Sequence, residues 1–215
     1  MTYTLKTHYK KILADTVTPV SVYLKIRDRF PNSLLLESSD YHANDNSFSY
    51  ICCNPIASVK VENEVLVASY PDGNSVKTAI TAATDIPAEL DTFAQKFVAQ
   101  KLDFKFATNG LFGYMAYDAV RYFEDIGISR KENAIAIPDI FYAVYQNIIA
   151  INHFKNEAFI FCHSVNGTNN VDEIAQLLNI RNFASYNFTR QGAKESNLED
   201  AEYCRQVELA KDHCQ

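Results

Sequence analysis

The chain has 215 residues, of which 47% are hydrophobic and 21% are charged, and its formal net charge is −6. A chain of this length can bury roughly 70% of its unfolded surface, so the composition indicates a globular protein and excludes a disordered or fibrous one. The 20 basic residues are scattered and outnumbered by 26 acidic ones, which makes nucleic acid a poor candidate for the partner. No apolar run approaches the ~20 residues that span a bilayer, and the amino terminus does not read as a signal peptide, so we expect no membrane partner.

The helices and strands of the first half can be predicted from capping residues and hydrophobic spacing. Thr18 and Pro19 are typical of a helix start, and Pro31 of its end. β-Branched and aromatic residues predict the strands that follow. In chain order we expect a helix over 19–30, strands over 33–37 and 48–53, a hairpin over 59–70 that turns at 62–64, a turn at 72–73 and a helix over 87–100.

The second half continues with strands and helices that do not alternate regularly. We expect a glycine-rich element over 110–116, a short helix from Tyr117, a hairpin of strands over 139–152 and 158–162, a helix over 171–180 and a polar loop over 184–197. Asn197 should then cap a last helix in which Tyr203, Val207, Ala210 and Cys214 share an apolar face. This order predicts an α+β fold with a largely antiparallel sheet and covering helices.

The chemistry-bearing side chains follow no recognised pattern for a metal or a nucleophile. The five histidines lack the spacing of a metal site, and no nucleophile has a legible base, so we predict no metal ligands and no catalytic residues in this chain. The five cysteines include no Cys-x-x-Cys pair and are typical of reduced thiols in the cytoplasm. They lie at positions 52, 53, 162, 204 and 214, and the histidines at 8, 42, 153, 163 and 213.

One strand ends in polar side chains. Leu34, Leu35 and Leu36 are followed directly by Glu37 and Ser38. Buried leucines would fix the backbone, so that a carboxylate and a hydroxyl could hold an ammonium or amide group of a ligand. The alternative is an ordinary solvated turn.

A second polar group lies on the short helix. Asp118 and Arg121 are three residues apart and could form a local ion pair, and Glu124 lies a further three residues on. This trio either orients a substrate or braces the preceding segment at a domain contact. Gly110 and Gly113 do not form a nucleotide-binding fingerprint, and close approach of another backbone explains them better.

Several short motifs are spread over most of the chain. They are Leu34-Leu35-Leu36-Glu37-Ser38, Phe48-Ser49-Tyr50-Ile51, Asn54-Pro55, the stretch from Gly110 to Glu124, Ile137-Pro138-Asp139, Asn152-His153, Tyr203 and Val207-Glu208-Leu209-Ala210-Lys211. Together they resemble the amino-terminal region of anthranilate synthase component I. Where that family often has Arg-Tyr-Ser-Phe-Ile-Gly and Asp-His, this chain has Ser47-Phe48-Ser49-Tyr50-Ile51-Cys52 and Asn152-His153.

The resemblance implies the amino-terminal part of a larger α/β sandwich enzyme, with residues 1–197 as its amino-terminal region and 198–215 as the start of the catalytic region. The family is a lyase that makes anthranilate and pyruvate from chorismate and ammonia, and a glutaminase subunit supplies the ammonia. Chorismate, Mg²⁺ and the catalytic residues belong to the carboxy-terminal region, so we expect this chain alone to bind no metal and to be inactive.

The resemblance also implies roles for the polar residues at the strand end and on the short helix. Leu36, Glu37 and Ser38 would belong to the site where L-tryptophan binds as feedback inhibitor, and Tyr117, Asp118, Arg121 and Glu124 would be structural or interdomain residues. Two alternatives stay open. One is component I of aminodeoxychorismate synthase, a sister enzyme on the same scaffold, and the other is a stand-alone amino-acid-binding module.

Overall fold

A computed structural model describes residues 1–37, 47–124, 126–127, 137–180, 189, 191–192 and 195–214. The chain divides into two compact units, Met1–Ala184 and Ser185–Gln215. In the described part of the first unit, nine strands form one sheet in which a single strand pair is parallel, and helices cover it. The predicted α+β fold with a largely antiparallel sheet is therefore confirmed.

The strands of the sheet are β1 (Tyr3–Leu13), β2 (Leu34–Leu36), β3 (Phe48–Glu62), β4 (Val65–Ser69), β5 (Ser75–Ala79), β6 (Phe97–Ala99), β7 (Phe112–Met115), β8 (Ile140–Asn152) and β9 (Glu157–Ser164). The two long strands β3 and β8 form its centre and pair antiparallel over most of their length. The strand order is β5-β4-β3-β8-β9-β1-β6, with β2 added to β3 and β7 added to β8.

A bulge divides the sheet into two parts. The register of β3 against β8 shifts between Pro55 and Ala57, next to Asn54 in the left-handed region at φ 58°. A bulge tolerates proline because the ladder is already interrupted there. β3 therefore runs through 48–62 without a break, where the sequence predicted separate strands. It pairs with β2 before the bulge and with β4 after it.

The helices cover different parts of the sheet. They are α1 (Pro19–Ile26), α2 (Ile86–Ala94), α3 (Val171–Asn179) and α4 (Asp200–His213), together with a 3-10 helix, Tyr117–Tyr122. In the first unit, α1 and α3 pack on one face before the bulge, around Ile51, Ile149 and Ile160. α2 and the 3-10 helix pack around Val59, Val61 and Ile140 after it. The opposite face, around Cys52 and Phe161, is covered mainly by aromatic side chains.

Three predicted boundaries are wrong. The helix predicted over 87–100 ends at Ala94, because residues Phe97–Ala99 form β6 and pair with Tyr3–Leu5 of β1. α1 ends at Ile26 rather than at Phe30. In the second unit, Glu199 and not Asn197 is the N-cap of α4, and it makes no side-chain capping bond.

Strand β1 was not predicted at all. Its sequence from Lys6 to Lys11 contains three lysines and a histidine, which is a poor strand signal. Its conformation comes from pairing over Lys6–Leu13 with β9, about 150 residues away, and such non-local hydrogen bonds leave no local pattern. The hairpin of β8 and β9, the turn at Gly73 and helix α3 are confirmed, whereas most of the predicted polar loop over 184–197 lies outside the described residues.

Candidate functional site

The strand end predicted to face a ligand is held by backbone pairing. Leu34, Leu35 and Leu36 of β2 lie opposite Cys52, Ile51 and Tyr50 of β3. Leu35 packs against the core beneath α1, and Leu34 against the aromatic face, so the two sides of the sheet anchor the strand.

The polar end of β2 is accessible. Leu36 is 37% exposed and Glu37 is exposed. An accessible carboxylate beside an accessible leucine, at the end of a fixed strand, can hold a cationic group next to an apolar one. Ser38 lies outside the described residues.

A buried serine lies on the neighbouring strand. Ser49 of β3 is 0% exposed, and its Oγ lies 2.7 Å from Nε2 of His153. The backbone N–H of His153 donates to the Ser47 carbonyl at 3.1 Å, so both the backbone and the ring of His153 are held against β3. The sequence motifs predicted no role for either residue. The sequence signal for this pair is Ser49 itself, a serine at an inward-facing position of a strand in which buried and accessible residues alternate. A buried hydroxyl at such a position requires a hydrogen-bond partner.

The trio on the 3-10 helix is arranged differently from the prediction. The Arg121 guanidinium pairs with Asp139, and not with Asp118, because Nη2 donates to Asp139 Oδ2 at 2.6 Å. Toward Asp118, Arg121 Nη1 donates to the backbone carbonyl at 2.9 Å, which closes the short helix. Glu124 is exposed, and Tyr117 is 88% exposed.

Asp139 connects this helix to the sheet. The Tyr122 hydroxyl also donates to Asp139 Oδ2 at 2.9 Å, and burial followed by this hydrogen bond raises the pKa of Tyr122. The Asp139 backbone N–H donates to the Val61 carbonyl, and its own carbonyl accepts from the N–H of Ala116. Because the Asp139 carboxylate already has these partners, its arrangement favours a role in bracing the 3-10 helix against the sheet over a role in orienting a substrate.

Gly110 and Gly113, which precede the 3-10 helix, are glycines for different steric reasons. A Cβ on Gly113 would lie 2.8 Å from the Cα of Tyr142 on the paired strand, so the predicted close approach of a backbone is confirmed at this position. Gly110 has no atom within 4 Å of such a Cβ, but it adopts φ +140°, which side chains rarely allow.

The cysteines have the character of structural thiols. Cys52, Cys53 and Cys162 are buried, and Cys204 and Cys214 are exposed and unpaired. Burial raises the pKa of the Cys53 thiol to about 12, and it raises the pKa of Cys52 as well. Since the thiolate is the nucleophile, these two buried thiols are poor nucleophiles.

Within the described ranges, no group of three or more His, Cys, Asp or Glu residues could hold a metal ion. The described side chains therefore do not fit Mg²⁺. No helix in the described part of the chain is long and apolar enough to cross a bilayer.

A cavity of about 410 Å³ lies beside the turn between β4 and β5, lined in part by Tyr3, Asp72 and Gln146. The Tyr3 hydroxyl donates to Asp72 Oδ2 at 2.9 Å, and the backbone N–H of Asn74 donates to Oδ1 at 3.0 Å. The second of these bonds, followed by the first, lowers the pKa of Asp72. These bonds connect the turn to the start of β1, so the Asp72 carboxylate has a structural role.

Proteins with the same fold and related sequences are known. Anthranilate synthase component 1 of Lactococcus lactis is 33% identical over 158 residues, which are 71% of this chain and 31% of the relative. The Thermus thermophilus protein of the same name is 27% identical over 157 residues, with the same coverage of both chains. This chain thus spans about a third of the length of these relatives.

A solved structure supports the same fold. The crystal structure of anthranilate synthase component I from Streptococcus pneumoniae superposes with a TM-score of 0.54 at 20% identity, over 94% of this chain and 45% of that one. Residues 34–215 match the family described as chorismate binding enzyme. Because this match covers most of the sequence, the chain belongs to the chorismate binding enzyme family.

Proposed function

We propose that this chain forms the amino-terminal, tryptophan-binding region of an enzyme that resembles anthranilate synthase component I. The observation that carries the proposal is the exposed carboxylate of Glu37 at the end of β2, a strand held by hydrogen bonds to β3, in a chain similar to proteins of that name. L-Tryptophan would act there as a feedback inhibitor.

The chemistry of the strand end suits an aromatic amino acid. The Glu37 carboxylate would accept the ligand ammonium in a charge-assisted hydrogen bond, and the Ser38 hydroxyl would provide a second polar contact. Leu36, 37% exposed next to Glu37, offers apolar surface for the indole ring.

The complete enzyme would convert chorismate and ammonia to anthranilate and pyruvate in the cytoplasm. A glutaminase subunit, component II, would release the ammonia from glutamine, and Mg²⁺ would be held by residues outside this chain. Family membership and the similarity to component 1 proteins support this assignment. Inhibition would then be a coupling between two sites, the tryptophan site and the catalytic site.

Tryptophan binding can be tested on this chain directly. The protein contains no tryptophan, so the fluorescence of the added ligand reports binding without a background from protein indole. We expect saturable but weak binding, because part of the pocket would come from outside the chain and each unpaired polar group of the ligand costs about 1–3 kcal/mol.

The variant Glu37→Gln removes the charge that would hold the ammonium, so we expect about tenfold weaker binding. The matched control is Glu89→Gln on α2, an exposed glutamate whose loss should leave the affinity unchanged. Equal affinities of the wild type and Glu37→Gln would contradict the proposed site. Tight binding by the wild type would instead favour the stand-alone amino-acid-binding module.

A further inference from the structure

We propose that Asn166 is a site of spontaneous deamidation, at which the backbone nitrogen of Gly167 attacks the side-chain amide. The reaction replaces a neutral amide by a carboxylate in the connection between β9 and α3. It needs water but no ligand, so this modification site is independent of the proposed tryptophan site.

Glycine follows asparagine or aspartate at three places in the sequence, and each is a candidate for this chemistry. The three places are Asp72-Gly73, Asn109-Gly110 and Asn166-Gly167. Glycine has no Cβ, so its backbone nitrogen can approach the preceding side chain without a steric clash. The local sequence therefore does not choose among the three, and the fold does.

The turn at Asp72 is protected by hydrogen bonds. The Gly73 N–H donates to the Tyr70 carbonyl at 3.0 Å, so the attacking nitrogen is engaged. The hydrogen bond from the Asn74 N–H lowers the pKa of the Asp72 carboxyl. The group is therefore ionised, and an ionised carboxylate is a poor target for a nucleophile.

The second candidate is shielded by packing. Asn109 is half-buried and lines a cavity of about 90 Å³ together with Leu5 and Phe97. Its side-chain carbonyl makes no hydrogen bond to any residue that the structure describes. Cyclisation there would have to occur against apolar side chains, with nothing to stabilise the charge that develops on the amide oxygen.

Asn166 combines exposure with polarisation of its amide. The side chain is exposed, and its Oδ1 accepts from the Thr168 N–H at 3.1 Å and from the Thr168 hydroxyl at 2.9 Å. Both donors stabilise the negative charge that develops on Oδ1 during attack. In the described part of the chain, neither Asn166 Nδ2 nor the Gly167 N–H makes a hydrogen bond, so the leaving group and the nucleophile are both free.

A lysine lies beside the attacking nitrogen. Gly167 adopts φ +79°, and a Cβ built on it would lie 3.5 Å from Cδ and 3.7 Å from Nζ of Lys6 on β1. A nearby positive charge favours the anionic form of a neighbouring group. The Lys6 ammonium therefore favours the loss of the amide proton that makes the Gly167 nitrogen a nucleophile, and Lys6 is a positioning residue for the reaction.

The reaction balances with water as the only co-reactant. The Gly167 nitrogen loses its proton to solvent and forms a bond to Cγ of Asn166, which places the negative charge on Oδ1. The bond from Cγ to Nδ2 then breaks, and ammonia leaves with a proton taken from water. Water opens the resulting succinimide at either carbonyl and gives aspartate or isoaspartate. Nothing is oxidised or reduced.

The modification would disturb a buried hydrogen bond. The Ser164 hydroxyl, 3% exposed, donates to the Thr168 carbonyl at 2.8 Å. An isoaspartate adds a methylene group to the backbone two residues before Thr168 and moves this carbonyl. A buried hydroxyl without its acceptor is destabilising, so we expect aged protein to unfold at a lower temperature than fresh protein.

The test incubates the full chain in weakly alkaline buffer and follows each site by peptide mass mapping. We expect deamidation to be about tenfold faster at Asn166 than at Asn109, because two hydrogen bonds to the developing oxyanion are worth about threefold each. In denaturing urea the two rates should become similar, since the fold then no longer distinguishes the sites. Equal rates in the native chain, or a faster rate at Asn109, would overturn the proposal.

Variants separate the contributions of the neighbours. Thr168→Val removes the hydroxyl donor and Lys6→Gln removes the charge, and each should slow deamidation at Asn166 about threefold. Lys6→Arg keeps the charge and should keep the wild-type rate. The matched control is Lys77→Gln on β5, an exposed lysine whose loss should change nothing.

The electrostatic role of Lys6 and the effect on stability have separate readouts. High salt should slow the wild-type reaction but not that of Lys6→Gln, because salt screens an exposed charge. Asn166→Gln, whose longer side chain cyclises much more slowly, should keep its unfolding temperature on ageing while that of the wild type falls. Wild-type rates in both Thr168→Val and Lys6→Gln would overturn the assignment of this turn as a site that promotes deamidation.

Discussion

The guanidinium of Arg121 donates to the carboxylate of Asp139 at 2.6 Å, across 18 residues of sequence. The Asp139 side chain is 8% exposed and that of Arg121 is 21% exposed, so most of the pair is removed from water. The pair attaches the 3-10 helix to the start of β8, and this makes it a brace of the fold.

Asp139→Ala should lower the free energy of unfolding by about 3 kcal/mol, because breaking a largely buried pair leaves Arg121 without its carboxylate. Urea denaturation measures the change. The control is Glu62→Gln, which removes the half-exposed pair between Lys60 and Glu62 and should cost less than about 1 kcal/mol. Similar losses in the two variants would contradict a bracing role for Asp139.

Gly113→Ala should destabilise the protein by about 3 kcal/mol, because the new methyl group would meet the backbone of Phe141 and Tyr142 on β8, and paired strands cannot move apart cheaply. Gly127→Ala is the matched control, since a Cβ there has no atom within 4 Å. Both variants can be compared by thermal and urea unfolding. A tolerated alanine at 113 would mean that β7 does not pair with β8 in this register.

His163 should make the stability pH-dependent. The residue is buried, its Nε2–H donates to the Thr108 carbonyl at 2.8 Å, and its Nδ1 accepts from the Thr7 hydroxyl. Burial lowers the pKa of His163 below its ordinary value of 6.5, although the bond to Thr108 opposes the shift. The unfolded state therefore binds a proton at higher pH than the folded state does.

This contribution to stability is complete above the unfolded pKa and is lost as the pH falls below about 6.5, with a slope of up to about 1.4 kcal/mol per pH unit. We expect His163→Gln to flatten the pH dependence of the unfolding free energy between pH 7.5 and about 5.5, an interval of about one unit on each side of that pKa. The control His8→Gln, at an exposed position, should keep the wild-type slope. An unchanged slope in His163→Gln would show that other groups cause the acid sensitivity.

The chain by itself should not convert chorismate to anthranilate in the presence of ammonia and Mg²⁺. It spans 31% of the length of its Lactococcus lactis relative, and the described side chains bring no metal-binding cluster together. Anthranilate is fluorescent, so a sensitive assay against a no-protein control is available. Measurable turnover would mean that residues of this chain carry out the chemistry.

Ser38→Phe, introduced into the complete enzyme, should relieve inhibition by tryptophan and largely preserve catalysis, because the inhibitor site and the catalytic site would be coupled but separate. Inhibition curves at fixed chorismate measure the effect. Ser75→Phe, at an exposed position of β5, is the control and should leave inhibition intact. An unchanged inhibition constant in Ser38→Phe would contradict the site.

Local signals in the sequence were sufficient for many elements. Thr18 caps α1 through the N–H of Ser21, as the Thr-Pro start predicted, and Asn63 and Glu64 turn the hairpin of β3 and β4 with positive φ. Such features depend on residues a few positions apart, so a linear reading can find them. The leucine strand β2 was also predictable, and the assignment of Glu37 as a ligand group remains a prediction.

Non-local pairing decided the rest. Arg121 had a carboxylate three residues away in the sequence, yet its partner is Asp139, because the 3-10 helix packs against the start of β8. Ser49 and His153 lie 104 residues apart and meet only because β3 pairs with β8. The sequence by itself determined the family resemblance, the α+β class and the local turns and caps. The tertiary structure decided β1, β6 and every side-chain pair of the candidate site, since strand pairing depends on distant hydrogen bonds and burial that leave no periodic pattern in the chain.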